Sequence, residues 1–487
     1  MVSKKTLLWL MMTGLLLAGC TLIPQYDRPV APVPETWPAG AAYGEAGGIG
    51  PEAVAIAELP WRQFFTDARL QTVIKTALEN NRDLRTAALN VERSRAMYRI
   101  ARSELLPKVN ASGSGYRQRT PADLSRSGEA MIAEEYRAEL GIASWEPDFF
   151  GRIRSLKKRA LEEYFATEEA RRAARVLLIS ETAAAWLTLA ADRENLALAR
   201  STLDSQQAAH DLIQRRYDVG LANELDLRRS QTLVEAARVD LARSVEQVAR
   251  DENALTFLAG TTSLPQDTLP RSLSDMPPLT PILAGTSSAV LLNRPDIRRA
   301  ENALQAAYAN IGAARAMLFP RIALTTAYGS ASADLSGLFE TGSRTWMFAP
   351  GIDLPIFDPR AWSALKVSKV DREIALTQYE RTIQAAFREV ADTLAKRGTV
   401  GEQVAAQQSL VKATEETFRL SNKRYETGTD DYLSVLDAQR SLYAARQGLI
   451  SLRLADLVNQ VRLYAVLGGG GELDDQRGDD ASTTPSE

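Results

Sequence analysis

Cysteine and histidine are almost missing from this sequence: the first occurs only as Cys20, the second only as His210. No disulfide can form within such a chain, no Cys/His set can hold zinc or copper, and thiol- or histidine-based hydrolysis is nearly excluded. His210 falls in a helical segment and reads as a surface residue. Carboxylate chemistry stays open, yet no Asp/Glu pair stands out from the helical charge pattern. A charge excess is missing too. The formal charge is -3 over 487 residues, with both signs interspersed, so no basic face offers itself to nucleic acid. No phosphate-binding glycine loop is present. The expectation is a protein that is not an enzyme and needs no metal or cofactor.

Helix breakers are missing where they would matter most. From Arg152 to Val219 there is no glycine and no proline. An unbroken helix there would be roughly 100 Å long at 1.5 Å per residue, far longer than a globular core requires.

Both ends of the chain differ from its middle. Lys4 and Lys5 precede the apolar run LLWLMMTGLLLAGC, too short to span a bilayer but suited to a secretory signal. Its last residues, Leu17 to Cys20, resemble a bacterial lipobox. That resemblance implies removal of 1–19 and acylation of Cys20, the one covalent lipid expected, with Thr21 favouring outer-membrane sorting. Each buried methylene contributes about 0.8 kcal/mol of membrane anchoring. Residues 20–60 are rich in Pro and Gly and are expected to lie extended on a scaffold or stay mobile. Residues 468–487 read as a disordered acidic tail.

Between the ends the chain repeats itself. Asn80 to Pro107 matches Leu292 to Pro320, and RYDVGLANELDLRRSQ at Arg216 matches RYETGTDDYLSVLDAQ at Arg424. The chain is therefore a tandem duplication: a first repeat 61–259, a linker 260–284 and a second repeat 285–467. Each repeat opens with a helix, expected over 70–106 in the first and stopped by Pro107. Long helices are expected over 152–219 and about 360–427, and returning helices over about 223–258 and 430–467. Gly398 and Gly401 would interrupt the second long helix.

Hairpins are expected over 109–146 and 322–357. Tyr136, Ala138, Leu140 and Ile142 fall on one face of an extended strand, and Trp145, Trp346, Phe348, Tyr116 and Tyr328 are candidates for interfacial aromatic girdles. Strands of about ten residues suit a tilted membrane strand, but four cannot close a barrel. Two soluble hairpins capping a helical bundle are the other reading; if the strands span a membrane, open edges cannot face lipid, so several chains must share one barrel, and three would supply twelve strands.

Gly220 and Gly428 can take the left-handed conformation that closes a helix, while Asn223 and either Asp430 or Asp431 can cap the next one. Turn geometry alone accounts for the motif over 217–223 and 425–431. Just beyond the second turn Leu433, Asp437 and Arg440 share a helix face at i, i+4, i+7; by spacing alone they are a core leucine beside a solvated Asp-Arg pair. Leu225, Arg229 and Thr232 hold the matching places of the first repeat.

In their order, PWRQFFTDARLQTVIKTALENNRDL, the two hairpins, WEPDFFGR, the two RY-x-x-G turns and LYAVLGGG resemble the outer membrane factor family, in its lipoprotein branch serving RND-type drug pumps. The resemblance covers nearly the whole chain beyond Cys20. It implies a mainly α protein with a β-barrel: a homotrimer whose twelve-stranded transmembrane barrel continues as a periplasmic helical barrel. It implies an outer-membrane exit duct, with outer-membrane lipid, a periplasmic adaptor and an inner-membrane RND-type transporter as partners. Tyr217, Val219, Gly220, Leu221, Ala222, Tyr425, Thr427, Gly428 and Thr429 would form the tip where the adaptor docks. Leu433, Asp437 and Arg440 would form the closing constriction, as three stacked rings in a trimer. A type I protein-secretion duct is the alternative, and a periplasmic adaptor lipoprotein a more distant one.

Overall fold

The computed structural model describes residues 21–43, 54–55, 59–283 and 287–470. The expected signal 1–19, Cys20 and the tail beyond Gly470 lie outside them. Strand β1 (Val54–Ala55) is followed by helices α1 (Trp61–Phe64), α2 (Ala68–Asn80) and α3 (Arg82–Ser103). Strands β2 (Val109–Thr120) and β3 (Met131–Trp145) lead into α4 (Arg152–Asp218) and α5 (Glu224–Ala259). The second repeat follows β4 (Ile282–Leu283) with α6 (Pro295–Ala316), β5 (Arg321–Ser332), β6 (Arg344–Asp353), α7 (Pro359–Glu426) and α8 (Tyr432–Val466).

The expected helix over 70–106 is two helices, and Asn81 is the cause. Its side-chain oxygen accepts from the Asp83 and Leu84 amides at 2.9 and 3.0 Å, capping α3, while its Nδ2 donates to the Leu258 carbonyl. Gly398 and Gly401, by contrast, lie within the unbroken α7. A single glycine costs a helix about 1 kcal/mol, too little to break one of 68 residues. The first hairpin ends at Trp145, one residue before the expected 146, and the second at Asp353, four before the expected 357 and ahead of Pro355.

The chain forms two compact units, and each draws on both repeats. In the first, made of residues up to Val30, 90–167 and 299–379, the strands form one antiparallel sheet in the order β2-β3-β5-β6. Cross-strand pairs Leu140↔Tyr328, Tyr328↔Trp346 and Thr326↔Phe348 place these side chains on one face. That face is apolar and bare: Trp346 is 75% exposed and Ile352 72%. The opposite face carries Glu135, Arg137 and Glu139 among small residues, and Tyr116 belongs to it, opposite Glu135. Tyr116 is thus no girdle residue; its hydroxyl donates to Glu135 at 3.1 Å. Trp145 reaches the apolar face through a bulge: Ser144 at φ 53° precedes it, it pairs with Leu324, and its half-buried indole donates to the Leu105 carbonyl at 3.3 Å.

The N-terminal segment of this unit lies extended, the first of the two behaviours expected for it. Tyr26 and Arg28 bond Glu301 of α6, and Arg315 donates to the Leu22 carbonyl at 3.1 Å.

The second unit holds Ala31–Leu89, Glu168–Arg298 and the described residues from Glu380. Its core centres on aromatic side chains buried outright. Tyr464 stacks on Phe64 at 4.2 Å and donates to the Leu59 carbonyl, and Trp186 donates to the Thr268 carbonyl at 3.0 Å. Each such side chain contributes about 2–3 kcal/mol by leaving water. Arg294 ties Asp296, Glu389 and the Val466 carbonyl together, satisfying the end of α8.

Candidate functional site

Both RY-x-x-G turns belong to the second unit, and both are built the same way. In the first, the Leu221 amide donates to the Arg216 carbonyl at 2.8 Å and the Gly220 amide to the Tyr217 carbonyl at 2.9 Å. In the second, Thr429 reaches Arg424 at 2.9 Å and Gly428 reaches Tyr425 at 3.0 Å. These are paired Schellman caps, which need a left-handed residue after the helix. Gly220 at φ 76° and Gly428 at φ 75° supply it. Asn223 then caps α5 by accepting from the Asp226 amide, and Asp431, not Asp430, caps α8 by accepting from the Ser434 amide.

A small apolar core joins the two turns. Ile213 and Leu227 from the first repeat pack with Tyr432, Val435 and Leu436 from the second, with Ala222 and Tyr425 against them. Tyr425 and Tyr432 lie 5.1 Å apart. Burial, with Tyr425 and Asp226 nearby, pushes the Tyr432 phenol up to about 12, and its hydroxyl has no hydrogen-bond partner among the described residues.

The duplicated arginines have diverged. Arg424 donates twice to Asp430, at 2.6 and 2.8 Å, and its guanidinium holds that carboxyl below the usual range. In the first repeat the position of Asp430 is taken by Ala222. With no carboxylate to meet, the Arg216 guanidinium lies 5.1 Å from the centre of the Tyr425 ring instead. Neither contact was foreseen from the sequence, although the Arg-x-x-x-x-x-Asp bracket around Gly428 was a usable signal for the first.

Most residues expected at the tip are exposed, including Val219 and Leu221 at 69% and 71% and the polar Thr427 and Thr429. Ala222 and Tyr425 instead face the small core. The two turns thus present unlike surfaces, one apolar and one polar.

Leu433, Asp437 and Arg440 do share one exposed face of α8, opposite the buried Val435, Leu436 and Gln439. Arg440 Nη2 stands 3.9 Å from Asp437 Oδ1, a loose pair with both side chains about two-thirds exposed. Exposed pairs of this kind contribute little to stability, so they remain available to other partners. Leu433 therefore belongs to no core. Leu225 is likewise exposed, and Arg229 stands 3.9 Å from Asp226. His210 is half-buried and hydrogen-bonded to the buried Ser230 at 2.8 Å, so it is not the surface residue expected. Among the described residues no cluster of three or more His, Cys, Asp or Glu side chains is placed to hold a metal ion.

The model of the outer membrane efflux protein family matches residues 73–261 and again 286–469. The chain is 47% identical over 467 residues to the antibiotic efflux pump outer membrane protein ArpC of Pseudomonas putida, covering 96% of each. It is 50% identical over 457 residues to the toluene efflux pump outer membrane protein TtgF of Pseudomonas putida, covering 93% of this chain and 95% of the relative. Among solved structures, the open state of the Neisseria gonorrhoeae MtrE outer membrane channel superposes with a TM-score of 0.83 at 38% identity, covering 94% of this chain and all of that one.

Proposed function

The chain belongs to the outer membrane efflux protein family, and from that premise we infer that it is the outer-membrane exit duct of a tripartite efflux pump. The observation that carries this reading is coverage: efflux-pump outer membrane proteins match 96% and 93% of the chain. The sheet agrees with it. Four strands whose outer members β2 and β6 pair with no further strand among the described residues cannot close alone. Three copies give the twelve strands of a closed barrel, continued by the long helices in the periplasm.

Two finer parts of the reading follow. The transported compounds are small and largely apolar, since relatives are named for antibiotic and for toluene efflux. The pump partners are an adaptor that docks on the turns at Val219 to Ala222 and Thr427 to Asp430 and an RND-type transporter that supplies the energy. Leu433, Asp437 and Arg440 form the closed constriction: leucines fill the bore, and the exposed Asp437 and Arg440 link neighbouring helices by charge-assisted hydrogen bonds. Docking moves these helices apart, with no chemistry in this chain. Cys20 carries the lipid anchor.

The test is export. Cells lacking this gene should accumulate a fluorescent pump substrate, and the wild-type gene should restore efflux only when an adaptor and transporter are also present. Restoration of protein secretion without small-molecule efflux would favour the type I duct instead.

A further inference from the structure

Charge on the inner face of the four-stranded sheet, the one opposite the apolar face, comes almost entirely from one strand. The register gives β2 no charged residue there, and gives β5 and β6 only Arg321 and Asp353, both at the helix end. Arg321 is bound to Glu146 at 2.7 Å. Strand β3 supplies Glu135, Arg137 and Glu139. Arg137 and Glu135 pair with each other, and Tyr116 also holds Glu135. Glu139 stands apart, with no ion pair or side-chain hydrogen bond among the described residues.

The surroundings of Glu139 leave it uncompensated. Ser112 faces it on β2 and Gly329 on β5, and Gly329 in turn faces Thr345 on β6. A Cβ added at Gly329 would stand 2.7 Å from the Glu139 Cβ, so the glycine clears the space beside the carboxylate's stem. Strand β3 lies inside the order β2-β3-β5-β6, so both strands beside Glu139 belong to its own chain. Closing three copies into a barrel therefore brings no new cross-strand cation to it. The threefold axis sets the three Glu139 carboxylates at one height. Twelve strands about 4.8 Å apart and tilted by about 40° enclose a radius of about 12 Å, and a glutamate reaches inward by about 4 Å. Each carboxylate then lies about 8 Å from the axis, within the Debye length of about 10 Å at 0.1 M salt.

We propose that Glu139 sets the charge preference of the duct's exit: its three unneutralised carboxylates in the barrel bore favour cations and cationic cargo over anions, independently of the constriction at the helix turns. Glu135 and Arg137 cancel. The outer connections add no positive excess, carrying Asp123, Glu129, Asp334 and Glu340 against Arg126. The proposal rests on the closed trimeric barrel, with this face turned to the bore.

The test is the reversal potential of single-channel openings in planar bilayers, with KCl at about 0.1 M on one side and about 0.3 M on the other. It is read on the rare openings of the wild type and again in the Asp437→Ala, Arg440→Ala background, so the result does not depend on where the duct is closed. Potassium should pass in preference to chloride by about three- to tenfold, and the preference should fade near 1 M salt, where the Debye length is about 3 Å. Glu139→Gln should lower the ratio by about threefold in both backgrounds, and Glu139→Lys should invert it. Glu134→Gln removes a carboxylate from the apolar face instead and should leave the ratio unchanged. An unchanged ratio in Glu139→Gln, or an equal fall in Glu134→Gln, overturns the proposal. Labelling separates it from the barrel reading beneath it. A membrane-impermeant maleimide added to intact cells should modify Glu139→Cys above the wild-type background, and Leu140→Cys, on the opposite face, should stay unmodified. Modification of Leu140→Cys alone would overturn the face assignment, whereas modified Glu139→Cys together with an unchanged ratio in Glu139→Gln overturns the selectivity role alone.

Discussion

Arg424 and Asp430 close the second helix turn with two hydrogen bonds of 2.6 and 2.8 Å, while the equivalent Arg216 lies against Tyr425 because Ala222 offers it no carboxylate. One substitution after duplication has therefore given two arginines different tasks. Asp430→Ala should loosen only the second turn. Amide exchange at Gly428 and Thr429 should quicken several-fold while exchange at Gly220 and Leu221 stays unchanged. The melting temperature should hardly move, since the pair is exposed. Because Arg424 lowers the Asp430 pKa, the clasp is fully formed above the ordinary carboxylate range and is lost only as pH falls through the lowered value. Exchange protection of that turn, corrected for intrinsic rates, should thus be flat between about pH 5 and 8.

Gly220 and Gly428 are required for their φ angles, not for space, because nothing lies within 4 Å of an added Cβ at either. Gly220→Ala and Gly428→Ala should each cost about 1–2 kcal/mol, and Asn at the same places clearly less. Chemical denaturation of the two series checks this. Equal losses for Ala and Asn would mean that the conformation is not the cause.

Tyr432 buries a hydroxyl that has no hydrogen-bond partner among the described residues. Tyr432→Phe should be neutral or stabilising by up to about 1 kcal/mol, whereas Tyr432→Ala should cost about 3–5 kcal/mol through the cavity it leaves. A stabilising effect confined to Phe, in thermal unfolding, identifies the hydroxyl as the liability and the ring as the anchor.

The pH dependence of stability should be governed in part by Asp251. Burial and the facing Asp192 carboxylate push it up to about 7. Gln247 donates to one of its oxygens, while Arg250 opposes the shift. The folded protein then binds this proton more tightly than the unfolded chain does, so the contribution of Asp251 to stability is greatest at low pH and is lost as pH rises from about 4 to about 7. Asp251→Asn should remove that slope, melting higher than the wild type at pH 8 and losing the advantage near pH 4. Parallel melting curves at every pH would contradict it.

Much of this was legible in the sequence because duplication showed every signal twice. The long helices follow from the Gly/Pro-free span after Arg152, and the two turns from Gly220 and Gly428. Face assignment was only half legible. Alternation placed Tyr136, Ala138, Leu140 and Ile142 together, but which aromatics joined them depended on inter-strand register, and register puts Tyr116 on the other face. Trp145 joins them only because a bulge at Ser144 breaks the alternation and brings it opposite Leu324, which no alternation pattern shows. The break at Asn81 was hidden because asparagine signals a cap only when its neighbours fall in place, which tertiary contact with Leu258 decides. Leu433, Asp437 and Arg440 were visible as a helix face; the constriction proposed for them comes from family resemblance alone, and the structure adds only that they are exposed.

Single-channel conductance in planar bilayers distinguishes a passive outer-membrane duct held shut at Leu433, Asp437 and Arg440 from one closed elsewhere. The wild-type protein should be nearly silent without its pump partners. Asp437→Ala with Arg440→Ala should produce frequent, long-lived openings, cation-preferring to a lesser degree than any openings of the wild type because the carboxylate ring is gone. A double variant as silent as the wild type would contradict the account.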